Sequence, residues 1–180
     1  LRLLVTKPVS RTQLLLSKFF ASCIYTLLLL TFMAAVGLLG SIALFGVSDL
    51  MVQKSDMFIL LDKGDVLSRY AASYGFAALS MITVAALAFL FSVFADNSIG
   101  PIIGAMSVVI VCTILTTMDI PVFYMLKPYL FTNHMLNWKG LFDQPVDVRE
   151  VAKSALVLLF HIVLFVSLAI WVFRRKDILS

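Results

Sequence analysis

Ionisable chemistry is what this sequence has least of. Only 13% of the 180 residues are charged, Glu150 is the one glutamate, and there are two histidines and two cysteines. Soluble domains carry about 25% charged and about 45–50% apolar residues. Here 62% are hydrophobic and the mean hydropathy is +1.05. No Asp, Glu, Lys or Arg falls within Phe19–Ser48, Tyr70–Ala95, Asn97–Met118 or Ser154–Phe173. A charge at mid-bilayer costs about 2.5–3.5 kcal/mol and is usually kept for ion or proton work. Its absence argues against a proton-coupled antiporter or a charged-pore channel.

Catalytic patterns are missing as well. There is no HExxH, no GxSG and no GxGD; Gly64-Asp65 follows Asp62-Lys63 in a loop, so an intramembrane protease has no residues to work with. A GxxxxGK[ST] loop is lacking, so the chain does not bind ATP in that way itself. Cys23 and Cys112 lie inside apolar runs, where free thiols act as small hydrophobes, and no Cys/His cluster suggests a metal. His134 has no second ligand near it in sequence. His161, the one ionisable side chain near mid-membrane, reads as a neutral packing histidine, with a transport residue as the alternative. The net charge of +4 comes without a basic groove or stacking platform for nucleic acid.

What is present is span after span of apolar helix. Each charge-free run reaches the roughly 20 residues that crossing a bilayer needs. The fold expected is an all-α polytopic membrane bundle in one domain. Residues 1–18 form a cytoplasmic segment, 19–46, 70–95, 99–118 and 150–173 the spans, and 119–149 an outer interfacial or re-entrant stretch. Phe19–Phe45 is too long for a signal-peptide core. Four spans return both ends to one side. That side holds Arg2, Lys7, Arg11, Lys18, Arg174, Arg175 and Lys176 against Asp96 and Asp177, a net +5. The opposite loops hold seven cations against eight acids, a net −1. The positive-inside rule then makes the basic ends cytoplasmic.

The loops carry their own signals. Asp49–Arg69 alternates charges with apolar residues and reads as a small interfacial piece. Asp96-Asn97-Ser98 makes a tight turn, with Pro101 in the first turn of the next helix, where its missing N–H costs nothing. The second and third spans therefore form a hairpin. Gly100 with Gly104, and Gly37 with Ser41, are small-xxx-small pairs that let helices approach, within one chain or across a dimer seam. Between Asp119 and Lys153 three prolines cut an aromatic-rich stretch into pieces too short to span. Tyr124, Tyr129, Phe131, Trp138 and Phe142 suit the outer headgroup level. Asp147 and Glu150 resemble a capping box for the last helix.

The opening stretch Leu3–Lys18 is the only long one both apolar and basic. Pro8 cannot continue a helix and pushes Lys7 out of the α region. Ser10 and Gln13 have capping-box spacing, and Val9 and Leu14 that of a hydrophobic staple, so a new helix starts at Arg11. Alone, this is also what an ordinary basic juxtamembrane flank looks like.

Leu3-Leu4-Val5-Thr6-Lys7-Pro8-Val9-Ser10-Arg11 through Leu14-Leu15-Leu16-Ser17-Lys18 resembles the cytoplasmic coupling segment of ABC type-2, export-type, transporter permeases. Phe173-Arg174-Arg175-Lys176-Asp177 is similar to that family's ending, with Lys176 as a slight departure. The resemblance implies that the four spans are the third to sixth of a permease whose earlier helices are missing. The chain begins at Leu1 with the motif already under way, as a fragment would. It implies a bacterial or archaeal cell membrane, a separate ATP-binding-cassette ATPase subunit that binds the ATP, and a second permease copy or homologue. The chain itself would be no enzyme and hold no cofactor. Leu3, Leu4, Thr6, Lys7, Pro8, Ser10 and Arg11 would carry the ATPase coupling. A secondary transporter and a non-transport assembly or anchoring protein are the competing classes.

Overall fold

The computed structural model describes residues 10–54, 57–95, 97, 99–118 and 120–175. Its first helix, α1, runs unbroken over Arg11–Phe45. Ser10 caps it in both directions: its Oγ accepts from the Gln13 N–H at 3.3 Å, and Gln13 Oε1 accepts from the Ser10 N–H at 3.0 Å. At 1.5 Å per residue the helix is about 50 Å long, well beyond a hydrocarbon core of about 30 Å. It stops at Gly46, whose φ of 73° is the left-handed region that a side chain would resist.

The small piece expected over Asp49–Arg69 contains a hairpin: β1 (Leu50–Lys54) and β2 (Met57–Leu61) pair antiparallel, with Leu50 opposite Leu61 and Val52 opposite Ile59. The hairpin is anchored at its base. Leu61 is fully buried, and Asp49 Oδ1 accepts from the Lys63 N–H at 3.0 Å. Asp62 then caps α2 through the Gly64 N–H, so that helix spans Lys63–Ser92 and begins seven residues before the charge-free run does. A cap and an exposed polar first turn set its start; the membrane boundary does not.

The turn into α3 (Ile99–Thr117) uses the Asn97 side chain, which accepts from the Gly100 N–H at 2.9 Å, and Pro101 lies buried in the first turn. Beyond it come α4 (Pro121–Tyr124), a 3₁₀ turn at Lys127–Tyr129, α5 (Phe131–Met135) and a 3₁₀ stretch over Leu136–Phe142. The last helix, α6, covers Val148–Arg175, its start capped by Asp147 Oδ1 accepting from the Glu150 N–H at 3.1 Å.

α2 is the hub, touching α1, α3, α5, α6 and the 136–142 stretch. Two apolar clusters hold the bundle. One joins Phe76 and Leu87 of α2 with Ala105, Phe131 and Leu158. The other lies where α1 begins and α2 and α6 end, and is built on Leu15, Val93 and Ala169. The end with this second cluster is called here the terminal end, and the opposite one the hairpin end. Among the described residues four helices, Thr12–Phe45, Lys63–Ser92, Ile99–Thr117 and Val148–Arg175, are long and apolar enough to cross a membrane.

Candidate functional site

At the terminal end, Ser10 and Arg11 are the expected coupling positions that fall among the described residues. Leu3, Leu4, Thr6, Lys7, Pro8 and the staple residue Val9 lie outside them, as does the Arg11 side chain. Ser10 is exposed, and Leu14 is 41% exposed. One turn further on, Leu15 and Phe19 are buried, and the Phe19 ring meets Phe89 of α2 at 5.2 Å between centroids. The start of α1 is therefore seated against α2 and α6 within three turns of its cap. Trp171 lies beneath the Arg175 guanidinium at 4.2 Å.

The four small residues fare differently. A Cβ on Gly37 would stand 3.1 Å from Tyr70 Oη, the hydroxyl that donates to the Ala34 carbonyl of α1 at 2.9 Å. Gly104 admits the Phe91 ring, with a Cβ only 3.4 Å from it. Both approaches are within the chain. Gly100 is tight against the preceding turn, 3.2 Å from Asn97 Oδ1. Ser41 makes no close approach within the chain: it is exposed and lines a cavity of about 510 Å³ that opens between the end of α1, the hairpin and the first turns of α2. The close approach of α1 and α2 is at Gly37, and one turn later the helices have separated.

The hairpin end is fastened by hydrogen bonds. Arg69 Nη1 donates to the Leu141 carbonyl at 3.0 Å and to the Asp143 carbonyl at 2.8 Å, with Asp65 3.8 Å away on its own helix. His134, buried, places Nε2 2.9 Å from the Pro128 carbonyl and Nδ1 3.0 Å from Ser154 Oγ. A carbonyl only accepts, so Nε2 carries a proton and donates to Pro128, while Nδ1 and the Ser154 hydroxyl share the second hydrogen bond. Asn137 Nδ2 donates to the same Ser154 oxygen. Ser154 is 1% exposed, so this Ser–His pair is closed to any substrate and acts as a clasp between the 128–137 stretch and α6. The sequence showed His134 with no ligand near it and did not show its pairing with Ser154, 20 positions away. Only the apolar-run boundary at Ser154 hinted at a polar partner.

Phe131 corrects an expectation. It is 4% exposed, edge-on to Phe165 at 6.0 Å, and belongs to the core; two short helices fold it inward. Trp138 and Phe142 pack edge to face at 6.4 Å and line a cavity with Tyr70, Ser73 and Tyr74, so they turn toward α2. Tyr124 and Tyr129 remain outward, 52% and 75% exposed. His161 donates to the Val157 carbonyl at 2.8 Å and sits among Phe131, Phe160 and Phe165.

Beside the clasp runs a groove of about 920 Å³. Pro128 and Tyr129 form one wall, and α6 the other, with Arg149 and Lys153 at the mouth and Leu156, Val157, Phe160 and His161 below. A separate cavity of about 350 Å³ is lined by Asp143, Asp147 and Glu150 with Lys139. Among the described residues no set of three His, Cys, Asp or Glu side chains could hold a metal.

Four long apolar helices around a hydrogen-bonded hub define a polytopic, membrane-embedded helical protein. Residues 1–179 match the family described as protein of unknown function DUF2705, and the chain belongs to that family. No curated protein and no solved structure matches it.

Proposed function

We propose that this chain is the membrane-spanning permease subunit of an ATP-binding-cassette exporter, driven by a separate ATPase. The observation that carries the proposal is the joint at the start of α1. Within the apolar and basic stretch that resembles a coupling segment, a reciprocal cap at Ser10 and Gln13 begins a helix seated by Leu15 and Phe19 against α2 and α6. The reciprocal cap stiffens the helix start itself, while its apolar seat lets that start shift against α2 and α6, and a lever needs both if rigid-body motion of an ATPase is to reach the spans.

In this proposal the terminal end faces the cytoplasm, in line with its excess of Lys and Arg. The hairpin end faces outward, in the cell membrane of a bacterium or archaeon. Along α1, Phe20, Tyr25, Phe32 and Leu44 are all at least 60% exposed and point to several sides of the helix, leaving apolar surface available to lipid and to a second permease copy or homologue. The ATP is bound by the partner, and this subunit performs no chemistry.

A photocrosslinker placed at Lys7 tests the proposal in membranes of the native host: it should capture an ATPase subunit. Pro8→Leu and Arg11→Glu should insert normally yet uncouple ATP hydrolysis by the complex from transport. Capture of no ATPase, or labelling of Lys7 from outside the cell, overturns it.

A further inference from the structure

We infer that the groove between α6 and the Pro128–Tyr129 wall is a binding site for an anionic phospholipid of the surrounding bilayer, its phosphate held by Arg149 and Lys153 and one acyl chain laid along Leu156, Val157 and Phe160. The placement of charge is the first ground. Arg149 and Lys153 are one helical turn apart, so they lie on one face of α6. Both are exposed, and no ion pair engages either among the described residues. The acids nearest in sequence, Asp147 and Glu150, line a separate cavity and are not among the residues lining the groove, Glu150 standing at the edge between the two, one turn before Lys153.

Depth is the second ground. The charge-free run begins at Ser154, so the two cations stand at the level where headgroups meet the hydrocarbon. Below them the groove stays apolar for the next two turns, to Phe160 and His161, about 16–18 Å from Arg149 along the axis. Leu156 is 66% and Phe160 62% exposed, so this wall opens sideways into lipid. Tyr129, 75% exposed, supplies the amphipathic ring of an interfacial residue on the facing wall.

Charge complementarity selects the headgroup. A zwitterionic lipid would bring an ammonium group to a mouth with two cations and no acid. A free anion would satisfy the cations but leave the apolar wall uncovered. An anionic lipid meets both halves of the groove, and the inference holds whether or not an ATPase drives the protein.

The test is native mass spectrometry of the full chain, delipidated in detergent and offered phosphatidylglycerol and phosphatidylcholine at equal concentration. Wild type should retain phosphatidylglycerol preferentially. In R149Q/K153Q the preference should fall by about thirtyfold, since each cation near a membrane surface contributes about a fivefold change in binding. The single variant K153Q should lose about fivefold by the same measure, which keeps the test open if the double variant aggregates. Lys139→Gln, in the separate acidic cavity, should leave the preference unchanged. Glycerol phosphate, the headgroup without chains, should fail to displace the lipid. An undiminished preference in the groove variants, an equal loss in Lys139→Gln, or displacement by glycerol phosphate would each overturn the site.

Discussion

The two ends of this bundle are held together by different physics. At the terminal end Leu15, Phe19, Val93 and Ala169 meet through apolar packing. At the hairpin end, Arg69 bridges two carbonyls, Asp49 ties the hairpin to α2, and His134, Ser154 and Asn137 clasp the short helices to α6. Apolar packing is non-directional and tolerates sliding, whereas a buried hydrogen bond is lost if its partners shift by an ångström. The difference locates rigidity. The hairpin end is set as one piece, and relative motion of helices is cheaper at the end where α1 begins.

The largest effect should come from removing the cation that bridges the hairpin end. Arg69→Ala leaves the Leu141 and Asp143 carbonyls without their shared donor and should lower stability by about 3 kcal/mol, read as a fall in the unfolding temperature in detergent. A change below about 0.5 kcal/mol would erase the contrast between the ends. Next comes His134→Ala, which strands both the Ser154 hydroxyl and the Pro128 carbonyl. About 2 kcal/mol should be lost, and increased protease cleavage within 128–142 should accompany it. Cleavage at the terminal end instead would assign the clasp a different role.

A smaller effect probes the bundle's middle. Gly37→Ala puts a methyl 3.1 Å from Tyr70 Oη and should cost about 1 kcal/mol. In a Tyr70→Phe background most of that cost should vanish, because the hydroxyl in the way is gone; equal costs in both backgrounds would mean the contact is not what limits position 37. The smallest effect belongs to the terminal end. Ser10→Ala should cost about 1 kcal/mol or less, confined to faster amide exchange in the first turn of α1. Global loosening of α2 and α6 in that variant would show the terminal end to be as tightly coupled as the other.

How much of this was legible beforehand differs by element. Spans are written in uninterrupted apolar runs, because a helix in lipid must be apolar on every face turned to lipid, and such runs need no partner to be recognised. Caps were legible too: Ser10 with Gln13 and Asp147 with Glu150 act within three residues of themselves. The hairpin was not. Met57–Leu61 is a five-residue apolar run, which periodicity cannot assign to strand or helix, and its partner Leu50–Lys54 ends in Gln53 and Lys54 and carries no clearer signal. Phe131 was misplaced for a related reason, as was Ser41 in so far as it was read as packing within the chain. An aromatic in a proline-broken stretch fits a headgroup layer or a core equally well, and a small residue fits a close contact or a cavity wall.

By itself the sequence determined that this chain carries four apolar runs long enough to cross a membrane and where α1 and α6 are capped, since each depends on residues within one helix length of each other. Only the tertiary structure decided that Arg69 and His134 are ties, that Phe131 points inward, and that Arg149 and Lys153 share a groove cleared of acids. Those outcomes depend on which surfaces are turned toward one another across 20 to 74 positions of chain. No local pattern of hydrophobicity carries that orientation.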